Sequence, residues 1–197
     1  NQLIEYDQRL YKDALTGVYN RRYFEEQIKK KNENAGVAVI DMDDFKLCND
    51  TLGHSAGDAA LRTMVKTVKH CIRKTDILIR YGGDEFILIL QNIKKENFFN
   101  KLVQIQSDIH AANVPGFPKL QLSVSIGGVI SSKETVEHAV MQADKLMYQA
   151  KEHKNMVVTE DNASYVAPGV ANRKARQQIL IVDDSEMNRA ILSEVGG

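Results

Sequence analysis

The sequence is poor in the residues that define several classes of protein. Its 197 residues include no tryptophan, three prolines and two cysteines, and 26 basic residues balance 26 acidic ones. Cys48 and Cys71 cannot make a disulfide framework and have no metal-ligand spacing to a histidine, so we expect a reducing, cytoplasmic compartment. The zero net charge argues against a general polyanion-binding surface and therefore against a nucleic-acid partner.

Long apolar runs are also missing. None approaches the roughly 18 residues of a membrane span, and the amino terminus has no signal-peptide core, so we expect a soluble fragment without a membrane segment. The length allows one domain with a sizeable core and some flanking chain.

The stretch from Arg80 to Phe86 lies between two apolar runs and holds two glycines followed by two acids. This pattern is typical of a β-hairpin whose turn needs positive φ, with Asp84 and Glu85 at its tip. Gly82 and Gly83 would let the phosphates of a bound molecule approach the backbone, and the carboxylates could hold a divalent cation. An ordinary exposed turn has the same composition, so this stretch alone leaves both interpretations open.

Apolar periodicity predicts the remaining elements. Helices are expected at 1–15, 20–31, 45–50, 59–73, 94–112 and 134–153, with Asn20 as a helix N-cap and a glycine-rich loop at 51–58. Strands are expected at 37–40, in the two arms of the hairpin, at 120–126 with one solvated face, and at 156–158. The order β-α-β-β-α-β predicts an α/β (α+β) fold, a ferredoxin-like palm whose central, mostly antiparallel sheet is flanked by helices.

The predicted strand 37–40 ends in four residues that include three acids, Asp41, Asp43 and Asp44. Carboxylates at the end of a buried strand are costly unless they are paired or bind a metal, and ligands gather at this edge of α/β sheets. We therefore favour a metal role for Asp41 over a capping role, and assign Asp43 or Asp44 as the cap of the next helix.

Residues that suit a nucleotide follow. Lys46 lies close enough in sequence to face phosphates, and Asn49 with Asp58 could read the Watson–Crick edge and exocyclic amine of guanine. His54 alone is more typical of a loop histidine than of a ligand.

Together these motifs resemble the GGDEF domain, the catalytic domain of diguanylate cyclases, over about residues 12–158. Four motifs carry the resemblance in the expected order: Asp13–Arg22, Asp41–Lys46 with Asn49–Asp50, Gly53–His54 with Gly57–Asp58, and Gly82–Phe86. The resemblance implies a palm of the nucleotide-cyclase type with a catalytic domain at 13–159, preceded by a connector helix at 1–12.

The resemblance also implies the chemistry. Two Mg²⁺ or Mn²⁺ ions per active site would be held by Asp41, the carbonyl of Met42, Asp84 and Glu85, and Asp84 would assist deprotonation of the 3′-hydroxyl. Two half-sites in a homodimer would then condense two GTP molecules into cyclic di-GMP and two pyrophosphates. The nucleotide-binding residues implied are Asn49 and Asp58 for guanine, His54 in the same pocket, Gly82 and Gly83 beside the phosphates and ribose, and Lys46 and Lys151 on the phosphates.

Arg73 and Asp76 match the family's inhibitory RxxD motif, with five residues between Asp76 and Gly82. The match implies a second site that binds cyclic di-GMP and causes feedback inhibition. The other interpretation, a helix C-terminal arginine followed by an aspartate that opens a strand, stays open.

The chain departs from the family at its last helix. Lys151–Asn155 lacks the usual glycine and is one residue shorter. We expect Lys151 still to reach the phosphates, whereas the replacement of the family's arginine by Lys154 is left open.

The end of the chain forms a separate unit in this interpretation. Residues 160–177 lose their periodicity and are predicted to be a linker. Residues 178–197 resemble the truncated start of a response-regulator receiver, with Asp183 and Asp184 in its acidic pocket, so the parent chain is expected to carry upstream and downstream signalling domains.

Two other functions compete with the cyclase. A non-catalytic module could use the same residues to sense GTP or cyclic di-GMP. Another palm-type nucleotidyl transferase would need a template or primer, for which no basic aromatic groove is visible. The connector helix either packs on its own domain or pairs with a second copy to carry a signal.

Overall fold

The computed structural model describes residues 2–165 and 180–182. The strands are β1 (Tyr19–Asn20), β2 (Ala35–Met42), β3 (Ile77–Arg80), β4 (Glu85–Gln91), β5 (Val124–Ser131), β6 (Met156–Thr159), β7 (Ala163–Tyr165) and β8 (Leu180–Val182). The helices are α1 (Gln2–Tyr11), α2 (Arg21–Tyr23), α3 (Phe45–Leu52), α4 (His54–Cys71), α5 (Lys95–Ala111) and α6 (Val136–His153), and a π-helical segment, Phe24–Ile28, continues α2.

The strands form one sheet in the order β1-β3-β4-β2-β5-β6-β7-β8. Its centre is antiparallel, since β4 pairs with both β3 and β2, and β2 pairs with β5. The β1–β3 and β5–β6 pairs are parallel. Strands β2 to β5 and the helices between them have the ferredoxin-like β-α-β-β-α-β arrangement, which confirms the predicted fold class.

Helices cover both faces of the sheet. Val37 and Val39 of β2 pack against α6, whereas Ala38 and Ile40 face the core formed with α4 and α5. Two adjacent glycines in β5 permit this close packing: a Cβ on Gly127 would lie 2.1 Å from the backbone nitrogen of Met147, and one on Gly128 would lie 2.7 Å from a methyl carbon of Leu102. The strand is therefore buried from both sides.

This packing corrects the predicted strand at 120–126. The strand begins at Val124, and Ser125 and Ser131 are 0% and 1% exposed. The alternating serines suggested a solvated face, but α5 and α6 leave β5 no such face. Its polar side chains must therefore find partners within the protein.

The hairpin turn also differs from its prediction. Residues 81–84 form a four-residue loop, closed by the carbonyl of Glu85, which accepts hydrogen bonds from the N–H groups of Tyr81 and Gly82 at 2.9 and 3.1 Å. Neither Gly82 nor Gly83 has a positive φ. The positive-φ requirement belongs to two-residue turns, and the longer loop removes it.

The predicted loop at 51–58 is mostly helical. Only Gly53, with φ of 88°, separates α3 from α4. Because glycine adopts this backbone conformation without strain, one residue is enough to end one helix and begin the next. His54 and Asp58 consequently lie on α4.

The amino-terminal helices are shorter than predicted, since α1 ends at Tyr11 and the π-helical segment ends at Ile28, but the predicted N-cap is confirmed. Asn20 caps α2 by accepting a hydrogen bond from the N–H of Tyr23 at 3.0 Å, and its amide donates to the carbonyl of Leu10 at 2.9 Å. The last turn of α1 is thereby tied to the start of α2. Within 2–165 and 180–182, no helix has the length and apolar character needed to cross a bilayer.

Two short strands extend the far edge of the sheet. β7 pairs with β6, and β8 pairs with β7, both antiparallel. Most of the predicted linker and of the predicted receiver start, including Asp183 and Asp184, lies outside the described residues.

Candidate active site

The acids predicted to hold metal meet where β2 ends and β4 begins, at one end of the central strands, which is called the acidic edge. Asp41 at the end of β2 pairs directly with Glu85 at the start of β4. Directly opposite residues in an antiparallel pair have their Cβ atoms about 5 Å apart on one face. The N–H of Met42 donates to the carbonyl of Asp84 at 3.1 Å, so Asp84 also lies beside Asp41 and Glu85.

The negative charge at this edge is poorly compensated. Burial, followed by repulsion from Asp84, raises the pKa of Asp41 to about 6. Burial, followed by the charges of Asp144 and Asp41, raises the pKa of Glu85 to about 7. A raised carboxyl pKa means that the folded site disfavours the charged form, so a cation placed here would be strongly attracted.

Lys151 supplies the nearest positive charge. Its Nζ lies 2.8 Å from Asp41 Oδ1. Burial opposes the charged form of Lys151, but the contact with Asp41 outweighs it and raises the pKa of the lysine. The predicted phosphate-binding lysine thus lies directly at the acidic edge.

The donor set fits a divalent ion that arrives with phosphate ligands. Asp41 Oδ1 is buried, and no N–H or O–H group of the described residues donates a hydrogen bond to it with acceptable angles, although Lys151 is within ion-pair distance. Within residues 2–165 and 180–182, no group of three Asp, Glu, His or Cys side chains is arranged to hold a metal ion by itself. Mg²⁺ commonly binds one or two carboxylates together with substrate phosphates, which suits Asp41, Asp84 and Glu85.

The glycine turn presents bare backbone to solvent. Gly82 and Gly83 are exposed. A Cβ on Gly83 would meet no atom within 4 Å, and one on Gly82 would first meet Glu85 Cβ at 3.6 Å. Because their φ angles are ordinary and the space is open, the fold itself does not require glycine at either position.

An ion pair holds this turn to the start of the domain. Arg80 donates from Nη2 to the carbonyl of Gly83 at 2.8 Å and from Nη1 to Asp13 at 3.2 Å. Burial opposes ionisation of Asp13, but hydrogen bonds from Thr16 and the charge of Arg80 lower its pKa. The motif around Asp13 thus helps to position the acidic hairpin, a role that its sequence did not reveal.

The predicted guanine-binding residues lie on α3 and α4. Asn49 faces α4 so closely that a Cβ on Gly57 would lie 1.9 Å from Asn49 Oδ1. Asp58 is the residue after Gly57, so Asn49 faces α4 next to the position of Asp58. Lys46 and His54 are exposed at the starts of their helices.

The Arg73–Asp76 pair has a structural component. The Asp76 side chain is 3% exposed and accepts hydrogen bonds from the N–H of Arg73 at 2.8 Å and from the N–H of Gln91 at 3.0 Å. Arg73 is 59% exposed, although its guanidinium also contacts Asp76. It lines a cavity of about 350 Å³ with other cations, among them Lys12 and Lys69.

Sequence analysis missed the contacts that two acids make in the site. The carboxyl group of Asp144 on α6 contacts Glu85, and burial raises the pKa of Asp144. Its spacing to Met147 and Lys151 places all three on one helix face, which is a signal that the sequence offered. The second acid is Asp43, whose carboxylate accepts hydrogen bonds from Ser123, just before β5, and from Ser125 in β5.

The predicted cap of α3 is also corrected. Asp44 occupies the N-cap position with φ of 56°, but its side chain accepts no capping hydrogen bond. It pairs instead with Lys154 Nζ at 2.7 Å. Asp44 therefore occupies the predicted cap position, but its side chain does not make the capping hydrogen bond.

A ferredoxin-like sheet that carries facing carboxylates at its central strand ends, beside an exposed glycine turn, is a palm of the nucleotide-cyclase type. The family profile described as "Diguanylate cyclase, GGDEF domain" matches residues 10–156. The chain therefore belongs to the GGDEF family.

Curated relatives carry the same assignment. The chain is 36% identical over 149 residues to diguanylate cyclase DgcS of Shewanella oneidensis, covering 71% of this chain and 49% of the relative. It is 34% identical over 139 residues to diguanylate cyclase A of Treponema denticola, covering 68% of this chain and 37% of the relative. The chain thus spans about half or less of the length of these relatives.

Solved structures share the architecture. Diguanylate cyclase SiaD of Pseudomonas aeruginosa, solved with its activator SiaC, has a TM-score of 0.70 at 28% identity, covering 80% of this chain and 65% of that one. The coiled coil and GGDEF domain of DgcB from Caulobacter crescentus has a TM-score of 0.72 at 23% identity, covering 80% and 90%, which supports the fold alone.

Proposed function

We propose that this domain is a diguanylate cyclase that condenses two GTP molecules into cyclic di-GMP and two pyrophosphates. One observation carries the proposal. Two exposed glycines, at positions where the fold does not require glycine, lie next to a cluster of carboxylates whose negative charge is only partly neutralised. Bare backbone beside a site that attracts cations is suited to a metal-bound triphosphate. The family membership of the chain supports the same reaction.

Asp41, the carbonyl of Met42, Asp84 and Glu85 would hold two Mg²⁺ or Mn²⁺ ions. When bound, such a pair stabilises the charge that develops on attacking and leaving oxygens. The protein would contribute the rigid ends of two paired strands, and Asp84, the last residue of the hairpin loop, would accept the proton of the 3′-hydroxyl.

Other residues would bind the nucleotide. Asn49 and Asp58 would recognise guanine, with His54 in the same pocket, because an amide and a carboxylate match its acceptor and N–H donors. Lys46 and Lys151 would neutralise phosphate charge, and Lys151 would leave Asp41 to do so. Gly82 and Gly83 would let the triphosphate contact the turn.

The reaction needs two such half-sites. The 3′-oxygen of each GTP would attack the α-phosphate of the other, forming a phosphodiester bond while the bond to pyrophosphate breaks. A homodimer in the cytoplasm would bring the half-sites together, and the parent chain would add upstream and downstream signalling domains, including a receiver that begins near residue 178.

Feedback inhibition would use Arg73 and Asp76. Arg73 is exposed beside a cavity lined by cations, which suits the phosphates of cyclic di-GMP. The GGDEF domain of DgcB from Caulobacter crescentus, 25% identical to this chain with a TM-score of 0.68, was solved in complex with c-di-GMP. In this chain Asp76 is already hydrogen-bonded internally, so Arg73 would make the larger contribution.

A non-catalytic module that senses GTP or cyclic di-GMP is the second candidate. The observation that favours it is the Lys151–Asp41 pair, which compensates part of the acidic edge without any metal. In such a module the lysine would stay on Asp41 and nucleotide binding would not require a divalent ion.

Product analysis separates the two candidates. The purified chain is incubated with GTP and Mg²⁺, and the products are resolved by chromatography, with Glu85→Gln as the matched control. We expect cyclic di-GMP from the wild-type chain and none from the variant. Binding of GTP without product at high protein concentration would reject the cyclase and favour the sensor.

A further inference from the structure

The segment that departs from the family pattern contacts every acid at the end of β2. This segment, Lys151–Asn155, is called here the α6 end segment, and Asp41–Asp44 is called the acidic strand end. Three contacts join them: Lys151 Nζ with Asp41 Oδ1 at 2.8 Å, Lys154 Nζ with Asp44 Oδ1 at 2.7 Å, and the N–H of Asn155 with Asp43 Oδ2 at 2.8 Å. The shortened segment therefore keeps a close fit to the strand.

Asp43 makes the most extensive of these contacts. Its Oδ1 accepts a hydrogen bond from Ser125 Oγ at 2.6 Å, and its Oδ2 accepts from both Ser123 Oγ and the N–H of Asn155. Its own N–H donates to the carbonyl of Ser123 at 2.8 Å. Ser125 is fully buried. Asp43 thus joins the end of β2 to the start of β5 and to the turn after α6, and both of its oxygens are occupied.

The turn that reaches Asp43 is itself fixed. Lys154 and Asn155 both have positive φ angles, of 60° and 48°, a range that asparagine adopts more readily than most residues. The buried side chain of Gln106 on α5 donates to both the carbonyl and Oδ1 of Asn155. The N–H of Asn155 is consequently held in place against Asp43 and does not depend on a mobile loop.

We propose that Asp43 is a positioning residue that sets the metal-binding edge through Ser123, Ser125 and the N–H of Asn155. The inference rests on the proposed function. Met42, whose carbonyl would bind an ion, lies between Asp41 and Asp43, so a shift of Asp43 moves both prospective ligands. Groups outside the ligand set that orient metal ligands commonly contribute 10- to 100-fold to metal affinity.

The same geometry assigns Lys154 a minor role. Lys154 and Asp44 are 55% and 51% exposed, and ion pairs between exposed side chains contribute little. Asp44 is therefore a matched control: it is an adjacent acid, joined to the same segment, without a contact to the β5 serines.

The test compares Asp43→Asn and Ser125→Ala with Asp44→Asn. In Asp43→Asn the new amide cannot accept from both serines and the Asn155 N–H together, and Ser125→Ala removes one donor with little change in volume. Mn²⁺ binding is measured by electron paramagnetic resonance with a non-hydrolysable GTP analogue. The affinity for the same analogue in EDTA is measured by calorimetry, and thermal unfolding confirms that each variant is folded.

We expect the Mn²⁺ dissociation constant to rise about tenfold or more in Asp43→Asn and Ser125→Ala, and less than about twofold in Asp44→Asn. Affinity for the analogue in EDTA should stay within about twofold of wild type. Equal Mn²⁺ affinity in all folded variants would overturn the inference and leave the proposed function standing. An equal loss of affinity in EDTA would show a general structural defect and also overturn it. Failure of the wild-type chain to bind Mn²⁺ with the analogue would contradict the proposed function, and the inference with it.

Discussion

Replacing Gly83 by alanine should make the protein more stable and far less active. Gly83 is exposed, its φ is not positive, and an added Cβ would touch nothing within 4 Å. Alanine at such a position stabilises a fold by about 0.4–1 kcal/mol because it restricts the unfolded chain. For a chain of this size that corresponds to a rise in Tm of about 1–4 °C.

The same Cβ would stand where the triphosphate is proposed to approach the turn. A displacement of about 1 Å in a reacting group can reduce the rate about 100-fold, so we expect at least that loss in kcat/KM. The assays are thermal unfolding without nucleotide and the rate of cyclic di-GMP formation. Gly116→Ala is the control: Gly116 has φ of 82° outside the site, so alanine there should cost about 1–2 kcal/mol and leave turnover per folded chain unchanged.

The outcome that would refute the reasoning is wild-type turnover in folded Gly83→Ala. It would show that the triphosphate does not contact the turn there. A lower Tm would instead show that the structural argument about Gly83 is wrong.

The remaining predictions concern charges in and around the site. In EDTA, Glu85→Gln should stabilise the fold at pH 8. Glu85 has a folded-state pKa of about 7, above its ordinary value of 4.5, so the wild-type fold loses stability as the pH rises from about 4.5 to 7. The stabilisation by glutamine should vanish below about pH 4.5, and equal thermal unfolding of both chains at pH 8 would contradict the prediction. Arg80→Ala should lower the unfolding free energy by about 2–3 kcal/mol, and adding Asp13→Asn to that variant should lower it little further, because the two side chains form one partly buried ion pair. Additive losses in chemical denaturation would show that the pair is not coupled. Arg73→Ala should relieve inhibition by added cyclic di-GMP without lowering the initial rate, whereas Asp76→Ala should destabilise the fold by about 2 kcal/mol, since it leaves the N–H of Gln91 without its acceptor; inhibition unchanged in Arg73→Ala would remove the feedback site.

Local patterns were sufficient to predict the framework of the site. An uninterrupted apolar run ending in Asp41 identified β2, and the hairpin pattern around Asp84 and Glu85 identified β3 and β4. Antiparallel pairing then brings Asp41 opposite Glu85. The N-cap at Asn20 was recognisable because its partner is only three residues away.

Features that depend on distant packing could not be predicted in this way. Ser123 and Ser125 have the spacing of a solvated strand face, yet they bind Asp43 because helices cover both sides of β5. The contact of Asp144 with Glu85 depends on how α6 lies across the sheet. Such contacts join residues far apart in sequence, so no local pattern records them.

The short α6 end segment shows the limit of family comparison as well. From the shorter segment we expected Lys151 still to reach the phosphates, and we left open whether Lys154 replaces the family's arginine. In the structure Lys151 contacts Asp41, while Lys154 contacts Asp44. Both lysines of the segment are thus directed toward the acidic strand end.

The most direct test of the account is the rate of cyclic di-GMP formation from GTP and Mg²⁺, measured per chain as the protein concentration is raised. The proposed reaction requires two half-sites to meet, so we predict that the rate per chain increases with concentration until the dimer is fully formed. The two-half-site mechanism would be contradicted if the rate per chain stayed constant down to concentrations at which sedimentation shows only monomer. The cyclase itself would be contradicted if no cyclic di-GMP formed at concentrations that give a complete dimer.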